Sequence, residues 1–189
     1  MPAPPKTNDD AVVGAALDLV ARGGVDALTM PDVAQAVGVK TPSLYKRFES
    51  RDALLAAVER RALEMVADRL ARVPKGRGPK EHARALATAF RAFAHEHPRL
   101  YPLVFTARAD DATQAARTKA VATLLETLGH LAGTEHALHA ARTLTAFLHG
   151  FITMELSSAF RLGGSPSDAF DYGLDLFFDR FTERLERQA

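Results

Sequence analysis

The sequence contains no cysteine, so neither disulfide bonds nor thiolate metal sites can support the fold, and a reducing cytoplasm is the expected compartment. Its first ten residues, MPAPPKTNDD, hold no apolar stretch of signal-peptide type. No later segment reaches the charge-free length that would span a bilayer, so no membrane partner is expected. Period-two alternation of apolar residues is missing, as are internal repeats and low-complexity segments, which argues against a fold built on sheets. A glycine-rich phosphate loop, a nucleophile elbow and a paired-carboxylate arrangement are also lacking. His136 and His139 lie three apart beside Glu135, and His95 and His97 flank Glu96. Without a third convergent ligand these groups read as surface histidines rather than a metal site. Neither catalysis nor a bound cofactor is expected.

Hydrophobic residues make up 47% of the 189-residue chain and charged residues 25%, enough to bury a core and to exclude a wholly disordered chain. The formal net charge is only +1, so global charge gives no argument for nucleic acid. Its distribution does: Lys40, Lys46, Arg47 and Arg51 stand against Glu49 within one short stretch.

Apolar residues recur at helical spacing almost throughout, which makes the fold all-α. A first helix starts near Asn8, with Asp9 and Asp10 in its first turn where they suit the helix dipole. Its apolar stripe is Val13, Ala16, Leu17 and Val20, and Gly23-Gly24 ends it. A second helix starts at Thr29, whose hydroxyl can cap it, and stops at Gly38. A third starts at Thr41, with Pro42 at the first helical position. Ser50 caps a longer fourth helix that runs until Pro74. The segment PKGRGP at 74–79 is the best domain boundary, giving a first domain at 1–73 and a second at 79–189. In the second, helices are expected at about 80–96, 98–107, 110–131, 135–162 and 166–187.

The informative stretch is LTMPDVAQAVGVKTPSLYKRFESRDALL at 28–55. Two short helices joined through Gly38 and Val39 bury little by themselves, so Val33, Ala34, Val37, Val39, Leu44 and Phe48 must pack against the first and fourth helices. With Leu44 and Phe48 turned inward at i, i+4, the opposite face shows Pro42, Ser43, Tyr45, Lys46 and Arg47 to solvent. In a helix-turn-helix, Thr41 and Ser43 could hydrogen-bond bases and Pro42 could lie against a thymine methyl. Lys46 and Arg47 could reach phosphate or guanine, and Tyr45 and Arg51 phosphates. Taken alone, a basic face beside a turn glycine also describes an ordinary solvated surface.

The same stretch resembles the N-terminal domain of TetR-family transcriptional regulators, from the apolar-Thr entry through Asp-Val-Ala and Gly-Val to Leu-Tyr-x-x-Phe and the capped fourth helix. The resemblance covers about residues 8–72. It implies a homodimer that binds a double-stranded DNA operator, usually as a repressor, and is released by a small apolar or partly polar effector. Activation, constitutive DNA binding, or a helical carrier or enzyme without DNA binding are the alternatives. Carry-over makes Thr41, Pro42, Ser43, Tyr45, Lys46 and Arg47 the reading helix, with Arg51 as a flanking contact. Lys40 stands where members commonly have Ser, and Arg47 where His is frequent. Met30-Pro31 replaces a more polar pair, so fewer DNA contacts are expected there.

In the second half, TLTAFLHGFITM at 143–154 is uncharged and hydrophobic on more than one face. The last helix carries Phe170, Leu174, Phe177, Phe178, Phe181 and Leu185 as a stripe, with Asp171, Asp175, Asp179 and Glu183 on a solvated face. That stripe suits either a monomer core or the four-helix dimer bundle that the resemblance implies. The segment FLHGF at 147–151 resembles a subgroup with a Trp-His-Gly signature, with Leu148 in the Trp position. Gly150 inside a helix costs about 1 kcal/mol relative to Ala unless close packing or a ligand needs the space. Candidate effector-pocket residues are Phe90, Phe93, Tyr101, Phe105, Leu125, Phe147, His149 and Met154, although aromatic residues at helical spacing more often fill a core.

Overall fold

The computed structural model describes residues 8–106 and 110–186, with side chains as far as residue 179. Among the described residues the regular structure is entirely helical: α1 (Asp9–Gly23), α2 (Met30–Ala36), α3 (Thr41–Tyr45), α4 (Arg51–Ala71), α5 (Pro79–Glu96), α6 (Asp111–Ala132), α7 (Ala137–Leu156) and α8 (Pro166–Glu186), with 3₁₀ turns at Val25–Ala27 and Tyr101–Phe105. Two compact units form. One takes Met1–Ala67 with His97–Ala120, the other Asp68–Glu96 with Val121–Ala189. The division interleaves along the chain instead of falling once, at 74–79. No described helix is long and apolar enough to cross a membrane.

In the first unit the caps follow from side-chain chemistry. Asn8 accepts the Ala11 N–H at 2.8 Å, Thr29 accepts the Asp32 N–H at 3.2 Å, and Ser50 accepts the Ala53 N–H at 3.1 Å, each satisfying a donor that its helix leaves open. Gly24 ends α1 at φ 79°, in the left-handed region that a glycine enters without penalty. Val12, Ala16 and Val20 form the buried stripe of α1, with Val13 and Leu17 half-buried, so the helix is turned by about one residue from the expected stripe. They pack with Leu28, Met30, Val33, Ala34, Leu44, Leu54, Leu55 and Val58, and Leu100 and Leu103 join the same core. The helix expected at 98–107 is only the 3₁₀ turn Tyr101–Phe105. Pro102 explains this, because inside a helix it would remove an N–H and clash with the preceding turn.

In the second unit α5 buries Leu86, Phe90 and Phe93, α7 buries Leu144, Leu148 and Ile152, and α8 buries Phe170, Leu174 and Phe178. Covering each fully buried Phe stabilises the unit by about 1.5–3 kcal/mol. Phe147 stacks on Phe170 with ring centres 6.0 Å apart, and Phe151 meets Phe170 edge-on at 5.3 Å. Helix α7 stops at Leu156, six residues before its expected end. The Ser157 hydroxyl donates to the Thr153 carbonyl, Ser158 turns left-handed at φ 55°, and the Ala159 N–H returns to the Met154 carbonyl at 2.8 Å.

The acidic face of α8 is not simply solvated. Arg84 of α5 donates to Asp171 and Asp175, and Lys80 pairs with Asp179 at 2.7 Å. The aromatic stripe divides too: Phe170, Leu174 and Phe178 are core, Phe177 is half-buried against Phe178, and the side chains of Phe181, Glu183 and Leu185 lie outside the described residues. Turned outward on α8 are Ala169, Tyr172 and Leu176, with Tyr172 66% and Leu176 59% exposed.

Candidate nucleic-acid interface

Helix α3 is five residues long, too short to be stable by itself, so its neighbours must hold it. Leu44 is fully buried among α1, α2 and α4 residues and Phe48 packs beside it. The turn before α3 is closed by the Val39 N–H on the Ala34 carbonyl at 2.9 Å, with Gly38 at φ 70° between them. A side chain at Gly38 would be strained by the backbone alone. Lys40, not Thr41, is the N-cap residue, without a side-chain hydrogen bond, and Lys46 stands at the other end in αR conformation.

Around buried Leu44 the opposite surface is open. Pro42, Ser43, Tyr45, Lys46 and Arg47 are all exposed, Tyr45 by 50%, while Thr41 is half-buried. These side chains put a hydroxyl, a phenol, an ammonium and a guanidinium on one patch about two turns long, the donor types that phosphates and base edges accept. Two arginines of the stretch have specific partners. Arg47 Nη1 is 2.5 Å from Asp9 Oδ1 in the first turn of α1.

Arg51, expected as a flanking phosphate contact, is also held from within. Its Nε donates to the Leu28 carbonyl at 2.7 Å and Nη2 to the Val25 carbonyl at 2.6 Å. The guanidinium thereby ties the start of α4 to the 3₁₀ turn before α2, through the Leu28 carbonyl and through the Val25 carbonyl, which also accepts the Leu28 N–H at 3.1 Å. Nε and Nη2 of Arg51 thus act as an internal brace, while its side chain stays 39% exposed.

The candidate effector residues are not gathered in one unit. Tyr101 and Phe105 belong to the first, their rings edge-on at 5.4 Å. Burial raises the Tyr101 phenol above its ordinary range. Phe90, Phe93, Leu125, Phe147, His149 and Met154 belong to the second. Phe93 is 1% exposed and is core, and Phe90 is nearly so. Met154 is 44% exposed and lies on the outward side of α7, as does Gly150, beside which a methyl group would meet open space. Neither lines an interior pocket.

In the second unit the glycine that close packing needs is Gly173, where a Cβ would clash with the Phe147 ring. Periodicity could not reveal this, because the conflict is with another helix. The buried ion pair of Arg91 and Glu155 was likewise missed. Arg91 Nε is 2.8 Å from Glu155 Oε2, His95 Nε2 is 3.2 Å from the same oxygen, and the Arg91 guanidinium lies 4.5 Å from the Phe170 ring centre. Desolvation pushes the Glu155 pKa up, but the hydrogen bonds from Arg91 and His95 outweigh it and hold the carboxyl below its ordinary value.

Comparison with known proteins matches this architecture in both halves. Residues 12–58 match the family described as bacterial regulatory proteins, tetR family, and residues 83–177 match the tetracyclin repressor-like C-terminal domain. The chain belongs to the TetR family. An uncharacterized HTH-type transcriptional regulator of Mycobacterium tuberculosis is 34% identical over 161 residues, covering 82% of this chain and 72% of that protein. The TetR fold is shared with apo ActR of Streptomyces coelicolor, at a TM-score of 0.74 and 18% identity over 99% of this chain and 100% of that one. It is shared also with a TetR variant of Acinetobacter baumannii in complex with minocycline, at a TM-score of 0.70 and 24% identity over 95% and 98% of the two chains. As a TetR-family member the protein is a DNA-binding transcriptional regulator, and its family and fold are those of regulators rather than enzymes.

Proposed function

We propose that this TetR-family protein is a ligand-responsive repressor that binds a near-palindromic operator as a homodimer and is released by a small molecule. The supporting observation is the exposed patch Pro42, Ser43, Tyr45, Lys46 and Arg47 around buried Leu44. Thr41 and Ser43 read base edges, Pro42 meets a thymine methyl, Tyr45 donates to phosphate, and Lys46 and Arg47 supply charge. Two such patches in a symmetric dimer enter successive major grooves about 34 Å apart.

The second copy covers the outward stripes of α7 and α8. On α7 these are Thr143, Ala146, Gly150 and Met154, and on α8 Ala169, Tyr172 and Leu176, all exposed in the single chain. A mostly apolar effector is taken up among the second unit's helices, near Phe90, Leu125, Phe147 and His149; a TetR variant of the same fold is known in complex with minocycline. It shifts DNA affinity only by its differential affinity for the two states of the dimer. Footprinting the purified protein on its own genome tests the reading. Paired half-sites one helical turn apart, cleared by a compound that the protein binds, are expected; a footprint of single half-sites, or none, overturns it.

A further inference from the structure

Resting on that reading of α3 as the DNA-facing helix, we propose that Asp9 determines specificity by holding Arg47 so that its guanidinium is offered to a base edge and withheld from the phosphate backbone. Asp9 and Arg47 lie 38 residues apart in sequence and meet at 2.5 Å, with side chains 65% and 39% exposed. One of the five guanidinium N–H donors is engaged by the carboxylate, and those on the free side keep the fork geometry that matches guanine O6 and N7.

The effect on the two DNA targets is unequal. A phosphate drawn to Arg47 brings a negative charge up to the Asp9 carboxylate, and must either displace it or bear the repulsion. A guanine edge carries no net charge and meets no such opposition. The other carboxylate of the first turn of α1, Asp10, is not the one bonded to Arg47 and serves as the control. Lys46 is exposed next to Arg47 and remains available for the backbone. Adjacent cations are thus given different targets by a residue that itself need not touch DNA.

The test uses the full chain, the operator recovered by footprinting and a scrambled duplex, each titrated across several salt concentrations. Asp9→Asn is expected to tighten scrambled DNA by roughly two- to five-fold per protomer, the scale on which exposed ion pairs act. The salt slope should steepen by up to about two units for the dimer as each Arg47 gains a phosphate. Operator affinity should rise less, so the operator-to-scrambled ratio falls. Asp9→Glu should restore most of it. In an Arg47→Gln background Asp9→Asn should do nothing further, and Asp10→Asn should leave the ratio in place.

An unchanged ratio and slope in Asp9→Asn, with wild-type discrimination intact, overturns this inference alone. So does an equal effect from Asp10→Asn, or an Asp9→Asn effect that survives in Arg47→Gln. A wild-type protein that does not discriminate between the duplexes overturns the DNA-reading proposal and this one together.

Discussion

Between Asp9 and Phe48 every fully buried side chain is apolar, the first unit's buried Glu59 and Thr113 lying outside that stretch, whereas the second unit encloses His82, hydrogen-bonded to Thr127 at 2.9 Å, and the carboxylate of Glu155, paired with Arg91. The helix-turn-helix keeps its polar groups on the surface, where they are free to meet DNA. The second unit fixes the relation of α5, α7 and α8 with polar groups inside. A buried ion pair of this kind contributes little net stability against an apolar replacement, yet it is costly to break from one side. The contrast separates side chains that face a partner from those that position a helix, and each substitution below tests that separation.

The largest effect is expected at the outward stripe of α8. Tyr172→Glu with Leu176→Glu leaves the monomer core of Phe170, Leu174 and Phe178 untouched, so the chain should stay folded while sedimentation shows monomers. Losing the second half-site should weaken operator binding by roughly 10²-fold or more. A dimer that survives both charges would place the interface elsewhere.

Next comes Glu155→Gln, which leaves Arg91 inside without its counter-ion. Breaking a buried pair from one side costs about 3–5 kcal/mol, and because Arg91 is 17% exposed against 6% for Glu155, about 3 kcal/mol is expected in denaturant unfolding. The folded-state pKa of Glu155 is depressed, so its contribution is fully present above the ordinary value of 4.5 and is lost as pH falls below it. Stability of the wild type should therefore drop on acidification in that window, and the variant should show a shallower drop. Equal slopes would mean that Glu155 is not the group concerned.

Arg51→Ala should remove two charged hydrogen bonds and about 2 kcal/mol of stability, while the salt slope of DNA binding stays where it was. A slope flatter by about two units for the dimer would instead return Arg51 to the phosphate contacts.

These contrasts also explain how much was legible in the sequence. Asn8, Thr29, Ser50 and Gly24 reveal their helix ends because capping is a local matter between a residue and the next few N–H or C=O groups. Leu44 and Phe48 reveal the inward side of the reading segment because their spacing fixes it. Arg51, by contrast, has the same composition as a phosphate contact, and its two carbonyl partners lie 23 and 26 residues back. Gly150 and Gly173 are equally helical in pattern, and only the position of Phe147 tells them apart. Met154 carries an apolar side chain at helical spacing, which says nothing of whether the face it joins is inward or outward. Local chemistry was readable; choices that depend on a second helix were not.

That α3 faces DNA is tested most directly by a salt series on Lys46→Ala and Tyr45→Phe, on operator and scrambled duplexes side by side. Lys46→Ala should flatten the slope by up to about two units for the dimer, one charge at each half-site. Tyr45→Phe should lower affinity on both duplexes alike with the slope nearly unchanged, since it removes a phosphate hydrogen bond and no charge. Affinity, slope and sequence preference identical to wild type in both variants would contradict the assignment of the exposed patch at 42–47 to DNA.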